Sequence, residues 1–189
     1  KFNEEKVIYF ENECIFKIKD DIKHDLFWWP ETLITYNMDF SRDNVFENRL
    51  ALYDLNANKQ IPYQLSEVKK DASGRLLSSR LSFMTALGKG EKKSFKLVKE
   101  PPEPFESPIK ITEEATNILV DNGVFAARLP HSQIYPVEVP GPIMGITVNN
   151  QNYGDSEVVL GKLKILEIVT TCLEFGSLFA EFQVEYIFD

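Results

Sequence analysis

Strict two-residue alternation constrains this chain most, and it is clearest near the end. Leu178, Ala180, Phe182, Val184, Tyr186 and Phe188 fall on every second position, with Glu181, Gln183 and Glu185 between them. Successive side chains of an extended strand point to opposite faces, so one face here is apolar and the other polar. The same period runs through Thr32–Phe40, where Ile34, Tyr36, Met38 and Phe40 alternate with Thr35, Asn37 and Asp39. It returns at Ile61, Tyr63 and Leu65, at Leu77, Leu81 and Phe83, and at Phe95 and Leu97. The best helical competitor is Ser66–Leu87, but Gly74 interrupts it and serines crowd its middle. The expected fold is therefore all-β, with antiparallel sandwich or barrel lobes and little helix.

Turn residues punctuate the strands. The Asp71–Gly74 stretch (DASG) reads as a hairpin loop. Asn122-Gly123 stands between Ile118–Val120 and Val124–Leu129 and predicts a type I′ turn, which needs positive φ at both central residues. Proline cannot donate to a sheet ladder, so neither Pro101–Pro108 nor Pro130–Pro142 is a central strand. The first predicts a linker at 100–108 between lobes at 1–99 and 109–189. The second predicts a long loop of the second lobe. The closing strand runs straight to Asp189 with an apolar face. Such an edge invites aggregation unless covered. The expectation is a chain that continues or is covered by something larger, the alternative being pairing inside its own sheet.

The 189 residues suffice for a core without staples. With 21 basic against 29 acidic residues the net charge is −8, which disfavours a nucleic-acid partner. No apolar run is long enough for a membrane span. A start at Lys1 leaves room for a removed signal peptide or tag. There is no HExxH and no GxSxG, and Gly88-Lys89-Gly90 lacks phosphate-loop spacing and reads as a turn. His24 and His131 have no second His or Cys at ligand spacing, so neither a metal site nor a cofactor is expected. Calcium is the exception, because carboxylates and carbonyls suffice for it. Cys14 and Cys172 lie in strand-like runs, where free thiols are usually buried; a single disulfide joining the lobes is the alternative. Asp155 and Glu157 would share a face if they lay in a strand, but a solvated acidic surface explains them better than a glycosidase pair.

Aromatic residues supply the candidate binding site. Phe27-Trp28-Trp29-Pro30 is a dense cluster just before a strand. Adjacent residues in extended chain face opposite ways, and Pro30 favours extended backbone at Trp29. Burying both tryptophans needs a bulge or a core on each side, so one is expected to be exposed and to touch a glycan or a neighbouring domain. Tyr153 stands beside the amides of Asn149, Asn150, Gln151 and Asn152, which can bond hydroxyls. Trp28, Trp29 and Tyr153 are the candidate carbohydrate-binding residues. The competing reading packs the tryptophans under a loop or between lobes and makes the amide run a polar turn.

Two stretches resemble β domains that lead large polysaccharide-degrading enzymes. The first runs Leu50–Asp54 (LALYD), Lys59–Leu65 (KQIPYQL), the Asp71–Gly74 turn and Gly88–Phe95 (GKGEKKSF). The second runs Ile118–Arg128 (ILVDNGVFAAR), with Gly141–Gly145 (GPIMG) following. Their layout is similar to the N-terminal all-β region of the rhamnogalacturonan-lyase-like (YetA-like) family. In such enzymes catalysis belongs to a later helical-barrel domain, so the resemblance implies an accessory region and assigns no catalytic residue. The expectation is a non-catalytic, extracytoplasmic β region of a polysaccharide lyase-like or glycoside hydrolase-like protein. It would brace an adjoining catalytic domain or contact glycan. A stand-alone extracellular β-sandwich interaction module and a small β-fold hydrolase with an unrecognised carboxylate pair are the alternatives.

Overall fold

The computed structural model describes residues 7–26, 28–134, 138–149, 151–159, 161 and 164–189. The chain divides into two units, Lys1–Phe105 and Glu106–Asp189, and the break falls within the first proline-rich stretch. Both units are built of strands. Among the described residues the only helical turn is a 3-10 turn at Glu47–Arg49, and no helix is long and apolar enough to cross a membrane.

The first unit contains β1 (Val7–Tyr9), β2 (Glu13–Lys19), β3 (Trp29–Asp39), β4 (Ala51–Asp54), β5 (Lys59–Gln60), β6 (Gln64–Lys70), β7 (Leu76–Leu87) and β8 (Lys92–Val98). One sheet has the order β1-β3-β7-β6 and the other β2-β8-β4-β5. Only β1 and β3 run parallel in these sheets. Ser66–Leu87 is a hairpin, not a helix. Gly74 takes φ +85° in its loop, and the Asp71 carboxylate accepts hydrogen bonds from Ser73 and Arg75. Alternation then turns Tyr36, Met38, Leu81 and Phe83 of one sheet toward Phe16, Phe95 and Leu97 of the other. The Phe16 ring stacks on Tyr36 at 4.6 Å, and Phe83 meets Phe95 at 4.7 Å. The two sheets therefore pack face to face as a sandwich. Neither closes into a barrel. Each fully buried phenylalanine contributes about 1.5–3 kcal/mol.

The second unit contains β9 (Lys110–Glu113), β10 (Asn117–Asp121), β11 (Phe125–Pro130), β12 (Gly145–Val148), β13 (Gln151–Tyr153), β14 (Ile165–Phe175) and β15 (Ala180–Phe188). β9 to β13 form an antiparallel meander, while β14 and β15 pair only with each other. The segment after β11 ties this long hairpin to the meander. Gln133 and Ile168 exchange backbone hydrogen bonds at 3.1 Å, Thr170 Oγ1 donates to Pro130 O at 2.6 Å, and Tyr186 Oη donates to Pro140 O at 2.9 Å. The apolar face of β15 is half-buried, and Phe188 is exposed.

Several local expectations are corrected. The β10–β11 turn is not type I′. Asn122 N–H bonds Phe125 O at 3.1 Å, so Gly123 and Val124 are the two loop residues. Gly123 alone has a positive φ, +82°, which is the pattern of a type II′ turn. The Asn122 side chain accepts from the amides of Val124 and Phe125, and this keeps Asn122 out of the loop position. Asp155 and Glu157 do not share a strand face, because residues 154–156 are irregular and Glu157 forms an isolated bridge with Pro140. Cys14 and Cys172 are both free thiols, but Cys172 is exposed and Cys14 only half-buried. Desolvation pushes the Cys14 thiol up to about 12. In the second proline-rich stretch, residues 135–137 lie outside the described residues.

Candidate functional site

The β2–β3 loop and the β7–β8 turn meet at one corner of the first unit, and the Asp20 carboxylate joins them. Asp20 directly follows β2 and is buried. Its Oδ2 accepts the Gly90 amide at 2.8 Å. Its Oδ1 accepts the Ile22 amide at 3.1 Å and the Trp29 indole N–H at 3.2 Å. The Lys23 amide reaches both oxygens, at 3.3 and 3.2 Å. The Asp20 backbone adds a bond to Glu91 O at 3.0 Å. Hydrogen bonds to the ionised form favour it. The Gly90 amide, ahead of the Trp29, Lys23 and Ile22 donors, accordingly holds this carboxyl below the ordinary aspartate value, against a smaller opposing effect of burial.

Glycine allows the close approach from the turn. Gly90 has φ +66°, a region other residues rarely adopt, so its amide can turn toward Asp20. Gly88 N–H and Glu91 Oε2 lie 2.6 Å apart and close the same turn. An ion pair between Lys89 and Asp25 ties the turn to the loop again. Within the loop, Leu26 N–H donates to His24 Nδ1 at 3.1 Å.

This anchored loop presents apolar groups to solvent. Trp28 is 65% exposed and Trp29 46%, and Ile22 and Leu26 are exposed as well. The expectation was one exposed tryptophan, and both are. A register shift does occur between Trp29 and Thr32, where β3 starts against β7. This bulge lies where the sheet ends, so it frees Trp29 rather than burying it. Phe27 of the same cluster lies outside the described residues.

Tyr153 belongs to the second unit and is 55% exposed. The β11–β12–β13 register puts Ile146 opposite Tyr153, and Phe125 opposite Val148, which in turn faces Gln151. Alternation places all five side chains on one sheet face, where Phe125, Ile146 and Tyr153 are exposed. Two of the amides expected to meet hydroxyls are engaged inside the hairpin. Gln151 Oε1 accepts from Tyr153 Oη at 2.8 Å, and Asn152 Oδ1 accepts from Thr147 Oγ1 at 2.6 Å. Asn149 is in the turn with φ +50°, and Asn150 lies outside the described residues. Beside these turns is an open depression of about 210 Å³, lined by Asp121, Val124, Phe125, Thr147 and Asn149 among others.

The tryptophans and Tyr153 thus belong to separate units. Sequence reasoning missed Asp20, which reads as one acid in a charged KDD run. An aspartate that leads out of a strand and bonds amides two and three residues on was the available signal. Among the described residues no three His, Cys, Asp or Glu side chains group as a metal would require. Comparison of the chain with protein-family models, curated proteins and solved structures returned no match.

Proposed function

We propose that the chain is a non-catalytic β region of an extracytoplasmic carbohydrate-processing protein, and that it contacts glycan through Trp28 and Trp29. The observation that carries this reading is the pair of exposed indoles on a loop anchored through a buried carboxylate. Flat aromatic surface buries the C–H face of a sugar ring, and it does so best when already ordered. The exposed Phe125, Ile146 and Tyr153 face supports a second contact of the same kind. The resemblance of LALYD, KQIPYQL and ILVDNGVFAAR to β domains of polysaccharide-degrading enzymes suggests the carbohydrate setting.

A glycan array probed with the whole chain tests the proposal. Trp28→Ala should abolish array binding while changing stability by only about 0.5 kcal/mol, as exposed substitutions do, whereas Trp29→Ala should abolish it at a cost of about 1.5–3 kcal/mol for the lost hydrogen bond to the Asp20 carboxylate. Losses of about 3–5 kcal/mol in both variants, the range for core tryptophans, would make the pair structural. The second reading is an interaction module that docks on another protein domain. The exposed aliphatic side chains of Ile22 and Leu26 beside the indoles favour it. An empty array would select this reading.

A further inference from the structure

The hydrogen bond from Trp29 to Asp20 determines what Trp29 can offer a ligand. Indole has one polar hydrogen, and Trp29 Nε1–H gives it to Asp20 Oδ1 at 3.2 Å. A ligand therefore meets only the carbon surface of Trp29. Asp20 is itself held by the amides of Ile22, Lys23 and Gly90. A carboxylate has about four lone-pair sites, so these donors leave it little freedom to rotate. The indole edge is thus fixed by both segments of the corner before any ligand arrives.

The charges of the corner narrow the ligand further. Over residues 19–31 and 88–93, Asp20, Asp21, Asp25, Glu31 and Glu91 are balanced by Lys19, Lys23, Lys89, Lys92 and Lys93, and Lys93 lies 3.9 Å from Glu91. Lys19 pairs with Asp21 and Lys89 with Asp25. Anionic sugars would find no surplus of positive charge to attract them. A neutral ring whose hydroxyls are all equatorial presents an unbroken C–H face and needs no donor from the indole. An axial hydroxyl interrupts that face.

Resting on the glycan reading above, we infer that Asp20 is the positioning residue of a preformed stacking site for neutral glycans with equatorial hydroxyls. Asp20 acts through Trp29 and does not touch the sugar.

The chain holds only two tryptophans, both at this corner, so its indole emission reports on the site alone. The experiment titrates the full chain with cellohexaose, with a β-galacto-oligosaccharide and with oligogalacturonate. The same titrations follow for Asp20→Ala, Asp20→Asn and Trp29→Phe. Cellohexaose should bind best. Asp20→Ala should shift the emission of a Trp28→Phe background and weaken cellohexaose about 2- to 10-fold, the range for the cost of ordering a side chain on binding. Asp20→Asn keeps one acceptor oxygen and should recover part of both effects. Trp29→Phe leaves the backbone donors of Asp20 in place, so the loop stays folded. It should still weaken binding, because nothing then orients the ring. Unchanged emission and affinity in Asp20→Ala would overturn the positioning role. Should that variant fail to fold, full affinity in Trp29→Phe would overturn it instead. Preference for oligogalacturonate would overturn the ligand class and leave the glycan reading standing. Binding of none of the three, together with an empty array, would overturn both.

Discussion

Asp20 turns a loop rich in apolar side chains into an ordered surface, and its ionisation is what holds the donors together. The carboxyl is held below the usual aspartate value of 3.8, first by the Gly90 amide and then by Trp29, Lys23 and Ile22. A depressed folded-state value means that protons bind the unfolded chain more readily. The stabilisation is therefore complete above pH 3.8 and is lost as the pH falls from there through the folded-state value. Acid titration of Trp28→Phe, followed by indole emission, should show Trp29 released only as the pH falls below 3.8. Above that range its emission should stay flat. A midpoint near neutral pH would mean that some other group governs the loop.

At the scale of the element, two glycines do different work in the second unit. Gly123 has φ +82°, and a Cβ added there meets nothing within 4 Å. Gly123→Ala and Gly123→Asn should each cost about 1–3 kcal/mol from backbone strain alone, because the first loop position of a type II′ turn calls for glycine. Gly145 fails for a steric reason. A Cβ there would lie 2.5 Å from both Arg128 Nη2 and the Gly154 carbonyl oxygen. The carbonyl is backbone and cannot swing aside, so Gly145→Ala should cost about 1–3 kcal/mol as overpacking does. Chemical denaturation of the three variants checks both accounts; unchanged stability with Ala or Asn at position 123 would refute the strain argument. Strand existence was legible in residues such as Tyr36, Met38, Phe83 and Phe182, because alternation is a local signal. Turn type was less legible, since the Asn122 side chain moved the loop by one residue. The corner was half legible. The FWWP cluster marked it, but its anchor joins Asp20 to Gly90, and no local pattern records so distant a contact.

At the scale of the molecule, the two units are stabilised unequally. Phe10, Phe16, Phe40, Phe83 and Phe95 are buried in the first. Among the described residues, the buried apolar side chains of the second are Ile109, Ile118, Ala126, Leu129, Pro130, Val139, Pro140 and Ile168, with no aromatic among them. The sheet order of the first unit also governs timing. β2 follows β1 at the start of the chain, yet its ladder partner is β8, with Glu13 against Val98 and Lys19 against Lys92. During synthesis β2 emerges long before the strand that completes it, so the sandwich assembles only after nearly the whole unit has been made. Closure over so long a loop is slow, and refolding of the first unit should take on the order of milliseconds to seconds. Stopped-flow circular dichroism measures this directly. Microsecond refolding would contradict the argument, and a chain truncated after Glu91 should not form the sandwich, leaving β2 unpaired.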